Sequence, residues 1–401
     1  MTSSPSVSTP ICVLGAGPHA LSLVLYLIEA DPDLKNQIVV LDPSGEWMST
    51  WYEQFARLEI ANLRSPGVHH PAPNVDALFS FIADRAFKPS GLPYHLPTTR
   101  AFNAFTRHLV EDAALRRPLP LRPQLIESSP NGLMIYADST TIEASALVIA
   151  TNPHGRNVPD WVWPLCGKTR TSLNHAADVD LRELDDLSGQ QVAVIGGGLT
   201  AAHLAVGASR RGAEVHLVSR RPLRIQDFDT EPGWLGPKHL RAFNATPDMV
   251  DRLELARKAR NGGSIPGWMR DRLDSPGIEV HESVEVVRAL PETGFCELHL
   301  RGGVKLHPDR IWLATGTTPN IEALRCLKPI APDIASIDGI PITDDGLRVG
   351  LHPVHVMGRL ATTTLGPAAG NLWGARNAAR RITRAITGVD VDNLTTSMRP
   401  T

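Results

Sequence analysis

Two short glycine-rich runs carry the clearest chemistry in this 401-residue chain. The first is Gly15-Ala16-Gly17-Pro18-His19-Ala20. The second is Gly196-Gly197-Gly198-Leu199-Thr200-Ala201. In the pattern G-x-G-x-x-[GA], the first glycine lets a strand turn sharply into a helix. The second lets a pyrophosphate lie against bare backbone, and the small third residue keeps helix and strand close. The helix start then offers unpaired N–H groups and a partial positive charge to the phosphates. Gly15, Gly17 and Ala20 fill these roles once, with Pro18 and His19 in the first helical turn. Gly196, Gly198 and Ala201 fill them again, with Leu199 and Thr200 beside them. One glycine turn is a weak signal. Here each follows an apolar strand and opens an apolar helix.

The residue ending the next strand sorts the two sites. Asp42 offers a carboxylate to ribose hydroxyls, as expected for FAD or NAD. Arg220 and Arg221 hold the matching place in the second unit. They suit bidentate pairing with a 2′-phosphate and so favour NADPH, the plain alternative being two solvated arginines. Asp42-Pro43-Ser44-Gly45-Glu46-Trp47 extends the first site, with Trp47 either beside the cofactor or in the core.

A third run, Arg64-Ser65-Pro66-Gly67-Val68-His69-His70-Pro71, brings two imidazoles together. Unperturbed imidazole titrates near neutrality, so His69 and His70 are candidate acid–base groups or else turn residues between prolines. No third ligand lies at metal-binding spacing, and no metal is expected. The four cysteines are far apart and form no CxxC pair. A dithiol centre, a zinc knuckle and a disulfide scaffold are all poorly supported.

These groups need elements to position them, and the elements repeat. An apolar strand over residues 11–14 leads to a helix, Pro18–Ala30, and a strand over 37–41. A helix over 99–114 follows, with Thr98 as N-cap. Short strands are expected over 124–128, 133–136 and 141–143, with Asn131-Gly132 as a hairpin turn, then an apolar strand over 146–151. The second copy has strands over 191–195 and 214–218 around a helix over 200–211. Meander strands over 279–282, 284–288, 295–300 and 304–307 and a last apolar run over 310–316 complete it. Continuous apolar strands alternating with helices suit parallel sheets buried on both faces. The expected fold is α/β, with two Rossmann-like dinucleotide-binding domains, for FAD and NADPH, each with a β-meander. Residues 1–165 and 317–401 would form a discontinuous FAD domain. Residues 166–316 would form the inserted NADPH domain, with a helical insertion at about 222–276.

A net charge of −2, with 40 basic and 42 acidic residues, argues against a nucleic-acid partner. The longest apolar stretch, around residues 20–28, is well short of the roughly 20 residues that span a bilayer. Residues 1–10 carry no basic group and do not read as a secretory signal, so a cytoplasmic protein is expected.

The two dinucleotide turns, the strand ends Ala150-Thr151 and Ala314-Thr315-Gly316, and the Asp42–Trp47 segment together resemble the class B flavin-dependent monooxygenases. Within these, the chain is most similar to the branch holding flavin-containing monooxygenases and lysine/ornithine N-hydroxylases. The resemblance implies FAD, NADPH, O₂ and a small-molecule substrate. In it, reduced flavin forms a C4a-(hydro)peroxide that oxygenates a soft nucleophile, an amine nitrogen or a sulfur. It places Thr151, Thr315, Gly316 and Gly358 at the cofactors, and Arg64 along the flavin toward substrate or NADP. Gly366, Pro367 and Ala368, before a helix over 373–386, match the element whose helix start faces the flavin pyrimidine. Three departures stand out. Arg359 replaces a frequent Asp, and Ala176 replaces a Ser after His175. The insertion lacks the Asn-Glu pair that binds amino-acid substrates and reads Asp227-Phe228-Asp229-Thr230-Glu231-Pro232-Gly233-Trp234. Free ornithine or lysine is therefore not the expected substrate, and Asp227, Asp229 and Trp234 are the candidate substrate contacts. Two alternatives stay open: a reductase passing electrons without oxygenation, and a scaffold keeping FAD for structure. A homo-oligomer is also open.

Overall fold

The computed structural model describes residues 6–165, 167, 169–292 and 295–391. Its first sheet has seven strands. Ser6–Leu14 is an interior strand, parallel to Ile38–Leu41 on one side and to Thr140–Ile149 on the other. Val354–Val356 continues the sheet in parallel and Arg348–Val349 closes it antiparallel. Ile11, Cys12 and Val13 are fully buried, because helices and loops cover both faces.

Thr140–Ile149 does two jobs. It runs parallel to Ser6–Leu14 over most of its length, and residues 140–144 also pair antiparallel with Gly132–Ala137. The sequence suggests two strands here, over 141–143 and 146–151. The chain makes one, since no glycine or proline interrupts residues 140–149. The Pro123–Ser129 and Gly132–Ala137 hairpin therefore hangs directly on the first sheet.

The second sheet has five parallel strands in the order Ile278–Glu282, Glu214–Ser219, Gln191–Ile195, Arg310–Leu313, Ser172–His175. Residues 279–282 were expected in the meander and instead form this sheet's edge strand. Ile278 and Val280 pack on the helix-side core, which a free meander strand would not reach. The second meander keeps Val286–Pro291, Cys296–Leu300 and Lys305–Leu306 as a separate antiparallel sheet. All five strands of the second sheet lie between residues 172 and 313. The first sheet draws on chain before residue 150 and after residue 347.

Three helices build the excursion between Glu214–Ser219 and Ile278–Glu282: Pro237–Ala245, Met249–Arg260 and Gly267–Leu273. Thr98 Oγ1 caps the Thr99–Asp112 helix by accepting from Ala101 N at 3.1 Å. The last helix, Leu372–Thr387, buries Ala375, Ala378, Ala379 and Ile382. Those small side chains let it lie close against Pro18–Ala30. No helix among the described residues is long and apolar enough to cross a membrane.

Candidate functional site

The first glycine turn is shaped by contacts that exclude a side chain at one glycine and leave room at the next. Gly15 has φ +96°, and a Cβ there would stand 2.9 Å from Thr151 Cγ2. Only glycine meets both demands without strain. A Cβ on Gly17 would meet nothing within 4 Å. Gly17 is also the N-cap of Pro18–Ala30, with no side-chain capping bond, so the helix start faces open space.

Polar atoms without partners surround this opening. His19 Nδ1 and Thr151 Oγ1 are buried and unbonded. Buried polar atoms are nearly always paired, so two orphans at one turn mark where a ligand's polar groups belong. Burial pushes the His19 pKa down to about 4, which keeps the ring neutral. The His19 ring lies 3.7 Å from where a Gly358 Cβ would sit, and Gly358 has φ +68°. Gly15, Gly17, His19, Thr151 and Gly358 are thus brought together.

Asp42 is fixed rather than free. Its Oδ2 accepts from Ala16 N at 3.0 Å, and its Oδ1 accepts from Ser44 N at 3.0 Å and Ser44 Oγ at 2.6 Å. A carboxylate has about four acceptor directions, so one is left for a ribose hydroxyl. Trp47 is a core residue: only 8% exposed, it donates Nε1–H to Arg116 O at 2.9 Å. Gly366, Pro367 and Ala368 form a buried 3₁₀ turn against Leu240 and Phe243 of the excursion. The start of Leu372–Thr387 is capped by Asn371 Oδ1, which accepts from Gly374 N at 2.9 Å.

The second turn repeats the backbone but not the opening. Gly196 has φ +151°, and its Cβ would stand 2.4 Å from Ala314 O. At Gly198 a Cβ would lie 3.3 Å from Gly263 Cα, so the excursion rests on this turn. Arg220 and Arg221 are exposed beyond the strand end, and Arg221 Nη1 reaches Asn261 Oδ1 at 3.4 Å. Thr315 Oγ1 donates to Asn157 O, and Thr315 O accepts from Asn157 Nδ2 at 3.2 Å. Gly316, at φ +79°, accepts from Asn157 N at 3.1 Å through its carbonyl. Thr315 and Gly316 thus tie together the two chain crossings between the sheets, where His154–Arg156 pairs with Thr317–Pro319.

Arg64 does not extend toward an open space. Its Nε donates to Asp227 O at 2.9 Å, and its Nη groups donate to Gln226 O, to Phe228 O at 2.8 Å and to Ser264 O at 3.1 Å. Ser264 Oγ accepts at 2.9 Å, and Asp229 stands 3.8 Å away. The guanidinium is consumed in clamping the excursion to the first unit. His70 is fully buried, shares Nε2 with Val75 O at 3.0 Å and packs edge-on to Phe105. Burial pushes both His69 and His70 down to about 4, with Arg376 adding to it. Both rings are neutral at pH 7, and the second ring nitrogen of His70, Nδ1, is buried without a partner.

The candidate substrate residues separate. Asp227 Oδ2 accepts from Tyr94 OH at 3.1 Å. Asp229 pairs with Arg260 at 2.8 Å. Trp234 packs on His239 and Phe243 within the excursion. Two residues join this group that sequence reasoning missed in that role. Arg260 also reaches Pro367 O at 3.3 Å. Arg359 donates to Thr317 Oγ1 at 2.9 Å and Thr317 O at 2.7 Å. Burial and the nearby Arg260 bring the Arg359 pKa down to about 10. Arg64, Arg224, Arg260 and Arg359 thus gather around two carboxylates, Asp227 and Asp229, which leaves the joint between the units positively charged. The replacement of Asp by Arg at 359 was the one visible signal.

Comparison with known proteins bears on this arrangement. The model of the pyridine nucleotide-disulphide oxidoreductase family matches residues 122–244, under a third of the chain. No curated protein matches in sequence. Among solved structures, the chain is similar to the cadaverine monooxygenase of the desferrioxamine biosynthetic pathway from Erwinia amylovora, bound to FAD. The TM-score is 0.76 at 18% identity, over 96% of each chain. It is also similar to the ornithine N-hydroxylase of Kutzneria sp. 744 with reduced FAD, NADP⁺ and L-ornithine, at TM-score 0.76 and 18% identity over 94% of this chain and 99% of that one. A flavin-containing monooxygenase from Stenotrophomonas maltophilia matches at TM-score 0.62 and 19% identity, over 95% and 99%. The likeness is one of fold: the chain has the Rossmann-type flavoprotein fold of these monooxygenases.

Proposed function

We propose that this protein is an FAD- and NADPH-dependent monooxygenase acting on a soft nucleophile, an amine nitrogen or a sulfur, of a small molecule. The observation that carries the reading is the first turn: an uncapped helix start at Gly17 facing open space, beside the orphaned His19 Nδ1 and Thr151 Oγ1. FAD fits this donor set. Its pyrophosphate would meet the helix N–H groups, its ribose would meet Asp42, and Thr151 would supply a hydroxyl. The likeness of fold to flavin N-hydroxylases over nearly the whole chain supports the same assignment. Bound FAD would supply the redox chemistry, passing the NADPH hydride's electrons to O₂ so that one oxygen atom goes to the substrate and the other leaves as water; the protein supplies orientation and water exclusion.

NADPH is assigned to the second unit, with Arg220 and Arg221 on its 2′-phosphate. In this reading the NADPH unit, about residues 166–316, is inserted into the FAD domain. The excess of guanidinium groups around Asp229 and the missing Asn-Glu pair point away from free ornithine or lysine. The described cysteines do not serve the alternative of thiol chemistry. Cys12, Cys296 and Cys326 are buried and unpaired, and burial raises all three thiol pKa values.

Purified protein should be yellow and should oxidise NADPH faster with an accepted amine or sulfide. Under ¹⁸O₂, the product should carry one heavy oxygen atom. Reoxidation of flavin with no labelled product from a panel of amines and sulfides would favour the reductase. Equal kcat/KM for NADH and NADPH would remove the role given to the two arginines.

A further inference from the structure

The outer edge of the second sheet gathers three side chains that the nucleotide reading does not use. His216 and Glu279 are register partners on the strands Glu214–Ser219 and Ile278–Glu282. His281 lies two residues beyond Glu279, so all three project from one face. His216 Nδ1 is 3.2 Å from His281 Nε2 and 3.3 Å from Glu279 Oε2. His281 Nε2 is 3.6 Å from Glu279 Oε1. Ligand atoms about 2.0–2.1 Å from a tetrahedral zinc ion stand about 3.3–3.4 Å from one another. The two ring nitrogens stand close to that spacing, and the Glu279 carboxylate faces both of them, Oε2 toward His216 and Oε1 toward His281.

The surroundings match as well. A histidine that ligates through one nitrogen commonly points its other N–H at a carboxylate. Glu214 Oε1 stands 3.7 Å from His216 Nε2, and Glu214 Oε2 in turn accepts from Gln191 Nε2 at 3.2 Å. A hydrogen bond between the two rings explains one of the three close approaches. It does not explain why Glu279 closes on both nitrogens. Glu297 makes a useful contrast. It also gathers His299 and His307, but Lys305 Nζ lies 3.0 Å away and already supplies the cation.

We propose that His216, Glu279 and His281 bind a divalent transition-metal ion of the zinc class, with the fourth position open to water. The ion would pin the edge strand Ile278–Glu282 to its neighbour. The proposal does not depend on the flavin reading.

The test uses the full-length, untagged protein as purified, stripped with a chelator, desalted and titrated with zinc chloride by calorimetry. One zinc ion per chain with micromolar or tighter affinity is expected, together with a zinc-dependent rise in Tm. His281→Gln and Glu279→Gln, each removing a ligand, should weaken binding by at least the roughly 10–100-fold that loss of a group hydrogen-bonded to a ligand costs. Glu279 is largely exposed, so its substitution leaves the fold intact. His299→Gln should leave binding unchanged. The site is overturned by no stoichiometric uptake in the unsubstituted protein, by uptake that survives His281→Gln and Glu279→Gln, or by equal losses in His299→Gln.

Discussion

The two glycine turns share a sequence pattern and differ in what stands in front of them. Gly17 and Gly198 are both helix N-caps without a side-chain cap. Beyond Gly17 there is open space, ringed by His19 and Thr151. Against Gly198 lies Gly263, from an excursion that joins the strand after the turn to the next strand of the same sheet. The motif therefore dictates backbone geometry and leaves access to be decided by distant chain. Arg64 links the two situations, since it anchors residues 226–228 and Ser264 to the first unit. The segment covering the second turn is thus held by the domain that contains the first.

The sharpest separation of the turns comes from adding one methyl group to each. Gly196→Ala would place Cβ 2.4 Å from a backbone carbonyl, Ala314 O, at φ +151°. Gly15→Ala would place it 2.9 Å from the Thr151 methyl and 3.2 Å from the Ala150 carbonyl, at φ +96°. Backbone yields less readily than a side chain. The first should cost about 4 kcal/mol and the second about 2 kcal/mol, combining conformational strain with overpacking. Urea unfolding measures both. Equal losses, or a larger one at Gly15, would show that the two turns are not distinguished by what crowds them.

Acid should also divide the units. His19, His69 and His70 belong to the first, and burial drives each down to about 4. Among the described residues of the second, His203 alone reaches such a value. A ring held at about 4 when folded takes no proton between pH 6.5 and 4, whereas the unfolded chain does. Stability is therefore retained above pH 6.5 and falls as pH drops toward 4, by up to about 3 kcal/mol for a ring such as His19. Hydrogen exchange followed from pH 7.5 to 4.5 should show residues 11–41 losing protection before residues 191–219. The reverse order would break the assignment.

Much of this contrast was legible in the sequence and its decisive part was not. The strand-turn-helix units are local, so residue type and periodicity were enough to place Gly15, Gly196, Thr98 and the helix Pro18–Ala30. The partners of Arg64 lie more than 160 residues away in the chain. No periodicity encodes such a meeting, and the family resemblance alone points Arg64 toward substrate or NADP. His216, Glu279 and His281 were hidden for a related reason. Alternation identifies a strand but not the sheet it joins, and residues 279–282 were grouped with the meander. Once Ile278–Glu282 pairs with Glu214–Ser219, the three side chains fall on one face.

The smallest effect is also the one that sharpens the comparison most. A Cβ on Gly263 would stand 2.7 Å from Gly198 Cα, so Gly263→Ala must move the excursion away from the second turn. In the proposed reading the Gly198 backbone is where a pyrophosphate would approach, and NADPH would have to displace Gly263 to reach it. Binding to a conformer that is only partly populated lowers apparent affinity by that fraction. Destabilising the covered conformer by about 1 kcal/mol should tighten NADP⁺ binding about fivefold while leaving FAD binding unchanged. Titration of the variant with NADP⁺, followed by intrinsic fluorescence, reads the change. Weaker binding would mean that Gly263 helps form the nucleotide site. Unchanged binding would mean that the contact lies off the nucleotide's path. Either result would return the two turns to equal standing, with access set by the nucleotide motif and not by the excursion that rests on one of them.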